Sequence, residues 1–224
     1  MIETKHATKD RILDAAEHLF AEKGFSETSL RDITTEAGAN LAAVNYHFQS
    51  KDALIQALFA RRIGPVNEQR RRNLDALEAA AGGQPLAVED LIRALLQPWV
   101  QALSQAGGAN AARLMGRMLI EPGDLFERFF REQLSAMATR FLAAFQKTLP
   151  EIPEAELYWR FFFMVGAVGH TMAGLRKVAA FSGGRCEVGC TEDLLKRLTA
   201  FISGGLRAPV DPSLKGDALC NGSH

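Results

Sequence analysis

Apolar residues recur at three- and four-residue intervals along almost the whole chain, and few stretches alternate as a half-buried strand would. The first such stretch is "KDRILDAAEHLFAEKG", in which Ile12, Ala15, Ala16, Leu19 and Phe20 form one stripe and Gly24 supplies the stop. A short helix follows in "TSLRDITTEAG". Thr28 or Ser29 caps it, Asp32 completes a capping box with Ser29, and Leu30, Ile33 and Ala37 make the buried face. After the turn Gly38-Ala39-Asn40, a third helix is predicted over Leu41–His47 with Asn40 as N-cap. A fourth begins at Ser50 and extends to about Leu77. It contains Gly64-Pro65, where the missing N–H of proline predicts a bend or break and a candidate hinge.

Further helices are predicted over Val88–Gln105, Ala109–Leu119, Gly123–Thr148, Glu154–Phe181 and Thr191–Leu206, separated by Gly- and Pro-bearing loops. The fold class is therefore all-α, with about nine helices. A three-helix unit over residues 1–60 leads directly into a larger helical bundle over 61–208, and residues 209–224 read as a polar, disordered tail.

Two short helices joined by a tight glycine-containing turn make a helix-turn-helix, whose second helix is able to enter the major groove of DNA. Its outward face carries Leu41, Ala42, Asn45 and Tyr46, with His47 beside them. These side chains suit base edges, phosphates and thymine methyl groups. Lys51 and the first N–H groups of the fourth helix suit a phosphate, as do Thr28 and Ser29 at the second. Spacing alone equally allows a generic helical hairpin, with Tyr46 and Phe48 in the core and Asn45 and His47 on a solvated face. Charge does not favour DNA. Through Lys51 the unit holds six basic and eight acidic residues, so phosphate affinity has to come from local placement.

The whole chain of 224 residues has 26 basic and 26 acidic side chains, so net charge points to no polyanionic partner. Three cysteines and a polar N-terminus without an apolar leader fit a reducing cytoplasm. The most apolar uncharged run, Phe161 to Leu175, falls short of the roughly 18 to 20 residues that cross a bilayer. Cys186 and Cys190 lack the further ligands of a structural zinc site and read, like Cys220, as bystander thiols. There is no glycine-rich phosphate loop, nucleophile elbow or paired metal-ligand motif, so neither an enzyme nor a cofactor is expected.

The segment "RILDAAEHLFAEKGFSETSLRDITTEAGANLAAVNYHFQSKDALIQALF" closely resembles the DNA-binding domain of TetR-family transcriptional regulators. The likeness rests on "AAxxLFAEKGF", "TSLRDITxEAG", the "YHF" ending and the Ser50-Lys51 step. It implies a cytoplasmic repressor of double-stranded DNA, with Thr28, Ser29, Asn40, Leu41, Ala42, Asn45, Tyr46, His47 and Lys51 as contacts on a palindromic operator. "GANLAAVNYHF" departs from the commonest form in the turn, with Asn45 where many members carry an aromatic residue, so base preference is not carried over. "NLAAVNYHF" resembles a PsrA-type subgroup that responds to fatty acids, and "ELYWRFFFMVGAV" is similar to the same regulators' C-terminal domain.

The resemblance also implies a homodimer joined through the last two long helices. The sequence agrees, since Glu154–Phe181 is apolar nearly all round and must be buried on several sides. A small effector, of fatty-acid or acyl-thioester type, is implied in the larger domain. Met115, Met118, Leu119, Phe126, Phe129, Phe130, Met137, Phe141 and Phe145 are the candidate wall, although such a stripe also describes plain core. Arg113, Arg117, Arg176 and His170 are the candidate partners for a charged head. The competing reading is a helical protein-interaction module without specific DNA binding.

Overall fold

The computed structural model describes residues 2–105, 107–120, 124–174, 177–187 and 189–214. Among them there are helices and no strand. In chain order they are α1 (Ile2–Lys23), α2 (Leu30–Glu36), α3 (Leu41–Phe48), α4 (Lys51–Ala81), α5 (Val88–Leu103), α6 (Gly108–Ile120), α7 (Leu125–Phe129), α8 (Ser135–Thr148), α9 (Glu154–Gly174), α10 (Lys177–Phe181) and α11 (Thr191–Leu206). Helix α1 starts well before the apolar stripe does, because periodicity marks only the part of a helix that packs.

The predicted helix over Gly123–Thr148 is one rod with a defect. Between α7 and α8, Phe130–Leu134 form a π-helical turn, so one residue is inserted into the ladder. Helix α4 crosses Gly64-Pro65 without the break expected there and ends at Gly82, whose φ is +55°. Proline at position 65 removes one hydrogen bond, but the flanking turns hold: Ile63 and Val66 are buried in the common core. The expected helix over Glu154–Phe181 appears as α9 and α10, and the intervening residues lie outside the described set.

Helix α5 is the centre of the bundle, packing against α4 on one side and α11 on the other. Leu91, Ile92, Leu95, Leu96, Trp99 and Val100 are buried along it. It also contains Pro98, which leaves the Ala94 carbonyl without its helical donor. Asn73 from α4 donates to that oxygen through Nδ2 at 3.4 Å, and Arg70 reaches the neighbouring Leu95 carbonyl through Nε at 2.8 Å. A defect in one helix thus supplies acceptors to the next.

The ends of the bundle are tied by guanidinium groups. Arg160, buried on α9, donates to Glu156 and to the Leu206 and Ala208 carbonyls at the end of α11, each at 2.8 Å. Glu89 in the first turn of α5 accepts from Arg207 and from the Ser203 hydroxyl, and these donors hold its carboxyl down at about 2.

Because the folded-state value of Glu89 lies below the ordinary 4.5, its contribution is complete above pH 4.5 and is lost as pH falls towards 2. Glu89→Gln is expected to lower the melting temperature at neutral pH and to flatten its acid dependence within that window. Melting curves across the acid range check this.

Candidate nucleic-acid interface and internal cavity

The turn before α2 is built by side chains that cap rather than project. Thr28, expected to face outward, is fully buried, and its hydroxyl donates to the Gly24 carbonyl at 2.7 Å and the Leu19 carbonyl at 3.3 Å. It satisfies the end of α1 and has no surface with which to touch a partner. Ser29 is exposed, and its hydroxyl is engaged in the capping box: Oγ accepts from the Asp32 amide at 3.1 Å while Asp32 accepts from the Ser29 amide at 2.8 Å. The Ser29 hydroxyl, donating to the Asp32 carboxylate at 2.6 Å, and then the Ser29 amide lower that carboxyl below its ordinary value.

Asn40 opens α3 by accepting from the Ala43 amide at 2.8 Å, and Ser50 opens α4 by accepting from Ala53 at 3.1 Å. Gly38 at φ +57° allows the sharp entry into α3, and Gln49 at φ +67° ends the helix in a conformation that few non-glycine residues adopt. Val44 and Phe48 point inward. Leu41, Ala42, Asn45 and Tyr46 are exposed, Tyr46 by 67%, which excludes the reading that placed it in the core. His47 and Lys51 are half-buried beside them, with the His47 ring 5.2 Å from that of Tyr46. Of the expected contacts other than Thr28, Leu41, Ala42, Asn45, Tyr46 and His47 lie on α3, Asn40 caps it, Ser29 caps α2 and Lys51 opens α4.

The acidic excess of this unit is offset from outside it. Glu17, 3% exposed on α1, accepts from Arg61 at 2.9 Å and Arg62 at 2.6 Å, both on α4, and Asp14 accepts from Arg61 at 2.8 Å. Two further cations join the unit to the bundle. Arg117 on α6, expected in the effector pocket, instead donates to the Ala21 carbonyl at 3.0 Å and to that of Glu22, at the negative end of the α1 dipole. Arg128 on α7 donates to Asp52 in the first turn of α4 at 2.8 Å, which raises its own pKa.

A partly open cavity of about 120 Å³ lies between α4, α5, α6, α8 and α9 and the π-helical turn. Met115, Met118, Phe129, Phe130 and Met137 line it as expected. Phe141 and Phe145 are fully buried but belong to the solid core instead. Arg113 is exposed and lies off the wall. His170 borders a separate open cleft near Phe181 and Phe201. Arg176, Cys220 and the side chains of Leu119 and Phe126 lie outside the described residues. The wall members missed from sequence come from α4, α5 and α9, among them Arg70, Trp99, Phe161 and Met164. Their spacing is that of ordinary core, and nothing in the sequence separates the two.

Arg70 is the one charged side chain lining the cavity among the described residues. Nε is bound to the Leu95 carbonyl and Nη1 donates to Asn67 Oδ1 at 3.0 Å, with no carboxylate paired to it. It is half-buried at the cavity wall, and its withdrawal from water pushes the guanidinium down to about 10. Asn67 also donates to the Gln133 carbonyl at 2.6 Å, inside the π-helical turn. Cavity, Arg70, Asn67 and the turn are thus hydrogen-bonded in sequence.

Comparison with known proteins agrees with this architecture. Residues 12–58 match the family model for bacterial regulatory proteins of the tetR family, and residues 93–205 match the tetracyclin repressor-like C-terminal domain. The chain is similar to the transcriptional dual regulator CecR of Shigella flexneri (28% identity, 61% of this chain and 63% of that protein). It is also similar to the regulator SrpR of Pseudomonas putida (25%, 59% and 62%). The matched stretch spans less than two thirds of either relative's length. Among solved structures, the fold is shared with the fatty acid degradation regulator FadR of Bacillus halodurans (TM-score 0.59, 16% identity, 90% of this chain and 97% of that one). NalD of Pseudomonas aeruginosa, titled the secondary repressor of a multidrug efflux pump, shares it too (0.59, 21%, 90% and 97%). With both the amino-terminal helix-turn-helix and the carboxy-terminal bundle matched, the chain belongs to the TetR family.

Proposed function

We propose that the protein is a homodimeric transcriptional repressor that reads a palindromic DNA operator through α3 and is released by a small apolar or acyl-type effector. The observation that carries the reading is the outward face of α3, where Leu41, Ala42, Asn45 and Tyr46 stand exposed beside the caps Ser29 and Asn40. Its donors, acceptors and methyl groups suit base edges, while Lys51 and the N-terminus of α4 suit a phosphate. A two-fold assembly places two such helices roughly 34–36 Å apart, one turn of the duplex or a multiple of it.

Dimerisation is supported by the exposed aromatic face of α9 and α11. Trp159, Phe162 and Phe163 are 58%, 60% and 62% exposed and lie against one another, with Phe201 on α11 72% exposed. An apolar cluster of this kind on a monomer marks an interaction surface. Gly166 on α9 has open space around it, which allows a partner helix to come close.

The effector occupies the cavity, whose lining fits a fatty-acid or other acyl chain. Its occupation acts on Phe129 and on Phe130 and Leu134 of the π-helical turn, and so on Arg128, two residues before that turn. The Arg128–Asp52 pair then transmits the displacement to the start of α4, which carries Lys51 beside α3. Two arrangements of this turn, one favoured by effector, provide the two-state element that allostery requires.

Tyr46→Ala is expected to abolish binding to an operator recovered by selection from genomic fragments, with a melting temperature nearly unchanged because the ring is solvated. Gel-shift titration alongside calorimetry checks it. A non-specific interaction module would instead bind all fragments alike, weakly and with steep salt dependence. Phe163→Asp is expected to convert the dimer to monomer, read by light scattering, and to weaken operator affinity at least tenfold. Arg128→Gln is expected to leave operator affinity within about threefold while reducing the effector's influence on it, measured by titration with and without effector.

A further inference from the structure

We infer that Arg70 is a receptor for the oxyanion of the molecule that enters the cavity, which therefore selects monocarboxylates with an apolar body over neutral compounds of the same shape. The inference rests on reading the cavity as an effector site and narrows the effector from acyl-type compounds to the free acid. It starts from a contrast within the molecule. Arg71, the next residue on α4, is paired with Glu68 and Asp75; Arg140 is paired with Asp75 and Glu78; Arg61 and Arg62 share Glu17. Arg70 alone in this part of α4 turns inward, to an apolar wall, and meets no carboxylate there.

A cation withdrawn from water without a counter-charge is costly to keep in a fold. Two neutral acceptors, the Leu95 carbonyl and Asn67, fix the plane of the guanidinium and offset part of that cost. Among the described residues Nη2 meets no acceptor, and the group stays protonated at neutral pH, since about 10 is still far above it. A planar, oriented, charged donor in a cavity otherwise lined by apolar residues is matched by a carboxylate with a hydrocarbon body. A thioester carbonyl carries no charge for the guanidinium to meet. A purely structural strut would use the same two hydrogen bonds and would be indifferent to the charge of what enters. This is the difference a measurement reads.

The test is calorimetric titration of the full-length protein with octanoate and decanoate, and with the alcohols of equal chain length. The wild type is expected to bind at least one acid tenfold or more tightly than its alcohol. Arg70→Met is expected to lose that preference while keeping or improving its affinity for the alcohol, and Arg70→Lys to keep part of it. Alcohol binding equal to acid binding, binding of neither, or an undiminished acid preference in Arg70→Met overturns the inference. Should Arg70→Met fail to fold, the wild-type comparison of acid with alcohol and the Arg70→Lys result decide it. Operator release is read in a separate gel-shift series. Acids that bind through Arg70 without altering DNA affinity overturn the effector role and leave the carboxylate site standing. Alcohols that bind as well as acids and also release DNA do the reverse.

Discussion

The carboxylate of Glu17, almost wholly withdrawn from solvent on α1, is held between Arg61 and Arg62 of α4. Removing it would leave Arg62 without a carboxylate and Arg61 with Asp14 alone. The contact matters because, among the described residues, α4 is the one helix that runs from the three-helix unit into the bundle. Its first turns close the three-helix unit, and its later turns carry Asn67, Arg70 and Asn73 into the bundle. Locking α1 to α4 makes the recognition unit move as a body with the near end of that helix. The interface face of α3 is then positioned by whatever positions α4.

What positions α4 is a set of contacts from the bundle that differ in stiffness. Arg117 grips the end of α1, and Arg128 grips the beginning of α4. The second grip comes from a residue two before the π-helical turn, which has a looser ladder than the α-helix on either side. The same turn forms part of the cavity wall and is hydrogen-bonded through Asn67 to Arg70. Rigid helices, one adaptable turn and one charge without a carboxylate among the described residues are therefore neighbours, and the proposed coupling of a ligand to DNA rests on that neighbourhood.

Pro98 shows how such an arrangement is built from a local imperfection. By withholding an N–H it leaves a carbonyl of α5 to be met by Asn73, with Arg70 bound to the next carbonyl along. The polar groups that reach into the apolar centre do so because the helix facing them has acceptors to offer. Pro65 has the analogous effect on α4 but interrupts nothing, since buried neighbours hold the helix on both sides of it.

Much of this was legible along the chain. Helix positions follow from apolar spacing, and the caps at Ser29, Asn40 and Ser50 follow from short side chains placed just before an apolar run, because both depend on near neighbours. The exposed face of α3 follows in the same way, since Val44 and Phe48 fix which side turns inward. Long-range packing decided the rest. Thr28 reads as a DNA contact and Arg117 as a pocket cation until α1 supplies the carbonyls that engage them. Phe141 and Phe145 are indistinguishable in sequence from the cavity wall, and Arg70 from the paired arginines beside it. Periodicity reports which side of a helix is buried, whereas a void or a missing counter-charge exists only once separate helices have been brought together.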